Sequence, residues 1–267
     1  MKQIIAIAAQ KGGVGKSTTA LAIGAGLSQR GYRVLYIDLD PQGNLSYVLG
    51  RDGDRKSILD VLRGEKKANK AIYSINGGDL IASTPALSGA DMELNKEDLL
   101  KKALYPLYEE YDYIIIDTPP SLGILTVQAL TACTWVIIPT LADIFSLQGI
   151  GQMYQTISAV QQYTNPDLTI RGILLTRHTR TILSRDILQM IEDTATQFGT
   201  VLFDTTIREN VALREAQASR RDIFNYAPKS NAAQDYNDLI AELLQGATPP
   251  IQEGKETELT QEADNGR

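Results

Sequence analysis

Along the chain, short runs of Val, Ile and Leu alternate with longer stretches of helical periodicity. The apolar runs at 4–9, 33–38, 79–83, 112–117, 135–140, 170–176 and 201–206 read as strands. Several have no polar interruption, as in Ile114-Ile115-Ile116 and Val136-Ile137-Ile138. A strand without polar alternation is covered on both faces, the condition of a parallel sheet between helices. Segments at 17–29, 91–109, 122–132, 145–163, 184–198, 208–218 and 231–245 fall between these runs and read as helices. The alternation predicts an α/β fold of three layers, α/β/α, around a mostly parallel twisted central sheet.

The pattern stops after residue 246. Residues 247–267 hold Pro249, Pro250, many acids and almost no large apolar side chain, so they are expected to form a disordered acidic tail behind a single domain at 1–246. From Gln252 onward there are five acids and two bases, so −3 of the formal net charge of −6 sits in that stretch. The rest is close to neutral, which weakens the objection that an acidic chain raises against a nucleic-acid partner. Cys133 is the sole cysteine. It excludes an intrachain disulfide and a thiolate cluster within one subunit, and it suits a reducing cytoplasm. No stretch approaches the roughly 18 apolar residues of a membrane helix, and the first nine residues lack the apolar core of a signal peptide. No membrane partner is expected.

The sharpest chemical feature is QKGGVGKSTT at 10–19, placed after the first strand and opening the first helix. Gly12, Gly13 and Gly15 allow a tight turn and close approach to an anion. The amides of Gly13, Val14, Gly15, Lys16, Ser17 and Thr18 can then face phosphate oxygens, helped by the positive end of the helix. Lys16 is placed for the β- and γ-phosphates of ATP and Ser17 for its Mg²⁺. The pattern G-x-x-x-x-G-K-[ST] is not met, because Gln10 stands where its first glycine belongs; an extra lysine, Lys11, makes K-G-G-x-G-K-S, the deviant Walker A signature. A glycine turn that binds nothing would explain the glycines but gives no reason for a second lysine beside a cationic loop. With this loop the α/β reading becomes a P-loop NTPase fold.

Ligands in open α/β sheets bind at the carboxyl ends of strands, and two acidic segments end there: VLYIDLDPQGN, with Asp38 and Asp40, and YIIIDTPPS, with Asp117. Asp117 has the Walker B form, an acid closing a hydrophobic strand and holding Mg²⁺ through water. Asp40, in the loop before Pro41, is the candidate for orienting the attacking water and for contributing to the metal site. Asp38 reads equally as a ligand or as a local cap. Pro119 and Pro120 fix a rigid loop after Asp117.

The segments KGGVGKS (11–17), IDLDPQGNLS (37–46), YDYIIIDTPPSLGILTVQALTA (111–132) and VIIPT (136–140) resemble the ParA/Soj DNA-partitioning ATPases of the MinD/ParA superfamily, and the resemblance runs from residue 2 to about residue 245. It implies a homodimer that sandwiches two ATP molecules, with Lys11 reaching the partner's nucleotide and Gly12 at the interface. It implies that Asp40 is needed for hydrolysis, that turnover is slow, and that a ParB-like protein stimulates it. The ATP-bound dimer binds double-stranded DNA without sequence preference, so the protein is expected in the cytoplasm and on the nucleoid while ATP-bound. The loop opens at residue 10, as in the short members without a preceding helix-turn-helix domain, which are expected not to repress their own operon.

DNA contact is expected in the second half. Between Arg171 and Lys229 there are nine Lys and Arg and seven acids, net +2. The candidate phosphate contacts are Arg180, Arg185, Arg214, Arg220 and Arg221; a mixed, solvated surface would give the same composition. Where the family carries a run resembling I-P-R-N-V-R-L-S-E-A-P, this chain has IRENVALREAQ (207–217). Arg208 takes a proline position, Glu209 an arginine position and Ala212 a basic position, which displaces the expected DNA and base contacts. His178, the only histidine, reads as a surface residue. A MinD-like positioning ATPase, acting on another surface or protein cargo, shares the loop and carboxylates, but the membrane-bound form needs a basic amphipathic C-terminal helix that the acidic tail does not supply. A small-molecule ligase or kinase on the same fold needs a substrate base that cannot be located in the sequence.

Overall fold

The computed structural model describes residues 2–51, 56–90, 93–179 and 182–245, the side chains of 182–185 excepted. The expected tail therefore lies outside the described residues, as do Arg180 and the side chain of Arg185. Strands β1 (Gln3–Ile7), β2 (Val34–Asp38), β3 (Tyr73–Ile75), β4 (Gly78–Ile81), β5 (Tyr113–Asp117), β6 (Trp135–Thr140) and β7 (Thr169–Leu175) form one sheet in the order β3-β4-β2-β5-β1-β6-β7. Every pairing is parallel except β3 with β4. The helices are α1 (Lys16–Gln29), α2 (Asn44–Val48), α3 (Ile58–Leu62), α4 (Ala68–Ala71), α5 (Leu99–Leu104), α6 (Ile124–Ala132), α7 (Ile144–Tyr163), α8 (Ile182–Gln197), α9 (Val211–Ala218), α10 (Ile223–Tyr226) and α11 (Asn231–Leu244).

The unbroken apolar strands have the expected cause. On β1, Ile4 and Ala6 join one buried cluster with side chains of α3, α5, α6, α7 and α8. Ile5 and Ile7 join the other, with α1, α10 and α11. Strands β2 and β5 alternate in the same way between two covered faces. Packing on the second face is close. A Cβ on Gly24 of α1 would lie 2.2 Å from the Tyr36 ring, which is 1% exposed. Gly24→Ala gains about 0.5–1 kcal/mol of helix propensity but overpacks at about 1–3 kcal/mol. The clash wins, and a calorimetric scan is expected to show a midpoint several degrees lower. An unchanged or higher midpoint would mean that Tyr36 has room to move.

Three expectations change. The segment 201–206 is not a strand: Leu202 makes one isolated bridge to Ile173, and the amides of Asp204 and Thr205 donate to the Glu242 carboxylate of α11 instead of a neighbouring strand. The helix expected over 91–109 shrinks to α5 and a 3₁₀ turn at Tyr105–Leu107. The Gln128 amide of α6 donates to the carbonyls of Leu94 and Lys96, satisfying them without a helix, and Pro106 interrupts the helical bonding after Leu104. Strand β3 was not expected; Asn76-Gly77 joins it to β4 as a two-residue hairpin.

Candidate phosphate-binding site

Sheet register places the acids. Ile7 pairs with Asp117, and Asp117 with Asp38, so the phosphate loop and both aspartates leave neighbouring strands at one level. The loop follows β1 and closes on α1. Gly13 and Gly15 have φ of 76° and 85°, a left-handed conformation that excludes ordinary side chains. Gly15 is the N-cap of α1 and has no side chain to cap it with, so the first amides of α1 have no side-chain acceptor from the N-cap. The Thr176 hydroxyl sits 2.8 Å from Val14 O and 3.0 Å from Thr140 O and ties the loop to the ends of β6 and β7.

Lys16, only 7% exposed, donates to Lys11 O at 3.2 Å. Burial lowers its pKa, and the charges of Asp117 and Asp40 push it back up. Asp117 is fully buried, and neither of its oxygens makes a well-formed hydrogen bond among the described residues, although the Ser17 hydroxyl lies close enough to act on its charge. Burial first, then the charge of Asp38, pushes its carboxyl well above the ordinary range; Asp40 adds to this, while the Ser17 hydroxyl and Lys16 oppose it. Orphaned carboxylate oxygens beside a cationic loop are the donor set that a hard divalent cation takes.

Asp38 has a different environment. Its carboxylate accepts from the amides of Asp40 (3.1 Å) and Ser46 (2.8 Å) and from the Ser46 hydroxyl (2.7 Å). Burial still pushes it up to about 6. The cap reading of Asp38 is therefore the one the geometry supports. Asp40 lies in the loop that Asp38 holds, its own carboxylate accepting from the Gln42 amide at 3.0 Å. Gly12, Gly13, Gly15, Lys16, Ser17, Thr18, Asp40 and Pro120 all line one cavity of about 530 Å³, which Leu21, Tyr47, Val48 and Gln217 also line. Val14 points away into the core at 1% exposure and offers only its backbone.

Several contacts escaped the sequence. Lys11 donates to Asp143 at 2.5 Å within the same chain. Burial raises the Asp143 carboxyl, but Lys11 and the Ser146 amide more than reverse this and hold it below its ordinary value. Asp143 is also the N-cap of α7, a signal legible in a polar residue before an apolar helix. Gln217 of α9 donates to the Thr18 hydroxyl at 2.7 Å. Ser46 and Ser83 join the Asp38–Asp40 loop, with no local motif to mark them.

The basic half divides in two. Arg208 grips Asp235 through two nitrogens, Arg177 pairs with Glu209, and Arg171 donates weakly to the carbonyls of Glu242 and Leu243 while lying over Trp135. Arg214, Arg220 and Arg221 are exposed, on or just after α9. The Arg220 guanidinium stacks 4.1 Å from the Tyr47 ring and Arg221 bonds Asn225 O. His178 is half-buried beside Arg208.

A family model described as an AAA domain matches residues 2–170. The sporulation initiation inhibitor protein Soj of Bacillus subtilis is 41% identical over 252 residues, covering 91% of this chain and 98% of that protein. The chromosome partitioning protein ParA of Myxococcus xanthus is 38% identical over 256 residues, covering 92% and 89%. A structure of cobyrinic acid a,c-diamide synthase from Mycobacterium smegmatis with bound ADP and magnesium superposes with a TM-score of 0.79 at 38% identity, covering 92% of this chain and 95% of that one.

Proposed function

The chain belongs to the AAA-domain family and, within it, to the ParA/Soj partitioning ATPases, and from this premise we propose that it is a Mg²⁺-dependent ATPase that partitions DNA. The observation carrying the catalytic part is the single cavity shared by the loop glycines, Lys16, Ser17 and Asp40, with the unpartnered carboxylate of Asp117 behind it. The fit to Mg²⁺ rests on that carboxylate. Ser17 and Asp117, with Asp40 nearby, would hold the ion, which neutralises charge on the β- and γ-phosphates. Among the described residues no group of three or more His, Cys, Asp and Glu is disposed to hold a metal; the ion would bind together with the nucleotide, whose phosphate oxygens would supply further ligands. Asp40 orients the attacking water, and the loop amides and Lys16 hold the phosphates in line.

Hydrolysis is slow in this reading and requires two copies. Lys11 exchanges its intrachain partner Asp143 for the nucleotide of a second subunit. Gly12 supports a close approach from outside: it is exposed, and a Cβ there would meet nothing within 4 Å of its own chain. The ATP-bound dimer binds double-stranded DNA through Arg214, Arg220 and Arg221, joined by Arg180 and Arg185, and a ParB-like protein stimulates release. Membership in the partitioning family supports a cytoplasmic, nucleoid-bound location. Among the described residues no helix is long and apolar enough to cross a membrane.

The test compares wild type with Gly12→Val. The valine is expected to leave the nucleotide-free melting midpoint within about 0.5 kcal/mol of wild type, because Gly12 is exposed and a Cβ there meets nothing within 4 Å of its own chain. It is expected to abolish ATP-dependent dimerisation in sedimentation, and with it salt-sensitive binding to random duplex DNA. A dimer that persists in Gly12→Val would remove the close-approach argument. Dimerisation of wild type without DNA binding would favour the second reading, a MinD-like positioning ATPase with another surface or protein as cargo. The observation on that side is that Arg171, Arg177 and Arg208 are occupied within the chain.

A further inference from the structure

Asp40 is held at both of its peptide groups. Its N–H donates to Asp38 Oδ1 at 3.1 Å, and its carbonyl accepts from the Gly43 amide at 2.8 Å and from the Ser83 hydroxyl at 2.6 Å. Of these bonds, only the one from Ser83 reaches the loop from another part of the chain, 43 residues away. The sheet makes it possible: β4 borders β2, so the chain leaving Ile81 runs beside the chain leaving Asp38. The Ser83 amide donates in turn to the Ser46 hydroxyl at 2.9 Å, and that hydroxyl donates to Asp38 Oδ2 at 2.7 Å. Asp38, Asp40, Ser46 and Ser83 thus form a closed ring of bonds. Ser83 is 8% exposed, Ser46 2% and Asp38 0%, so water has little access to replace a missing member.

A turn closed only by its own short-range bonds can rock as a unit and carry its carboxylate with it. An anchor on the neighbouring strand removes that freedom. Displacement of a water-orienting group by about 1 Å costs on the order of a hundredfold in rate, so a bond that fixes the Asp40 main chain acts on turnover and hardly on binding. The phosphate contacts are assigned to the loop at 12–18, whereas the hydrogen bonds of Ser83 go to Ser46 and Asp40. We propose that Ser83 is a positioning residue for ATP hydrolysis, holding Asp40 in register with the bound nucleotide from the end of the adjacent strand. This inference rests on the role given to Asp40 above.

The experiment uses the full chain and measures single-turnover phosphate release from Mg-ATP, together with kcat, KM and ATP-dependent dimerisation. The variants are Ser83→Ala, Ser83→Cys, Ser83→Thr and Asp40→Ala. Ser83→Ala is expected to lower kcat about tenfold or more, with KM and dimerisation within twofold of wild type. Ser83→Cys keeps the side-chain volume but offers only a weak donor, so it is expected to fall with Ser83→Ala even if the alanine variant folds poorly. Ser83→Thr keeps the hydroxyl and is expected to recover most of the rate; the neighbouring Gly43 has no side chain, an ideal Cβ there lying 4.0 Å from the Ser83 Cβ. Wild-type turnover in both Ser83→Ala and Ser83→Cys, beside a slow Asp40→Ala, would overturn the positioning role and leave the ATPase reading standing. A threonine variant as slow as alanine, or a KM that rises in step with the loss of kcat, would also overturn it, since packing would then be the cause. Unimpaired turnover in Asp40→Ala would overturn the role of Asp40 itself and this inference with it.

Discussion

Asp40→Ala is expected to release phosphate from Mg-ATP at about a hundredth of the wild-type rate or lower, while still binding ATP. Its carboxylate lines the cavity of the phosphate loop and is held by the Gln42 amide, so it is placed to bond a water and not to bind the phosphates. The sign of the binding effect follows from the neighbouring charges. Asp38 and Asp117 are both pushed up in part by the charge of Asp40. Removing that charge relieves repulsion inside the site and toward the nucleotide. ATP affinity is therefore expected to stay equal or to rise, and the variant is expected to accumulate as the ATP-bound species. Rapid-quench phosphate release and equilibrium titration with a fluorescent ATP analogue read the two quantities separately. Loss of affinity in parallel with loss of rate would show that Asp40 acts on ground-state binding.

Lys16→Ala is expected to act the other way, on binding first. Lys16 is buried beside Asp117 and Asp40; burial lowers the pKa of its ammonium, and their charges oppose this only in part. A unit charge at about 4 Å in a partly buried site is worth on the order of 4 kcal/mol. Not all of it is lost, because the loop amides and the end of α1 remain. A weakening of ATP by about a hundredfold is the expected net effect, seen as loss of the ATP-induced rise in melting midpoint. The nucleotide-free midpoint is the control. A variant that binds ATP within threefold of wild type would mean that the backbone cradle alone holds the phosphates.

Much of this was legible in the chain. Loop glycines flanked by an apolar strand and a helix pattern mark a phosphate loop because only such residues can bring a run of amides onto an anion. Aspartates closing apolar strands mark the metal side because parallel sheets present their carboxyl ends to ligands. Asn76-Gly77, a hairpin signal between 73 and 81, was legible too; the run after it, 79–83, reads as a strand, but the run before it, 73–75, is too short and too polar to read as one. The helix at 91–109 misled for another reason: its periodicity is real, but Gln128 and Pro106 settle where the backbone bonds go.

The chain by itself determined the α/β alternation around a mostly parallel sheet, the phosphate loop, and the two strand-ending acids Asp38 and Asp117, since each depends on residues close together in sequence. Tertiary structure decided the rest. Sheet order put β4 beside β2 and so brought Ser83 to Asp40. The start of α7 brought Asp143 to Lys11, and α9 brought Gln217 to Thr18. Separations of 43, 132 and 199 residues leave no local pattern. Such pairs meet only because buried apolar faces lock the elements in place, and hydrogen-bond chemistry then selects the partner that arrives.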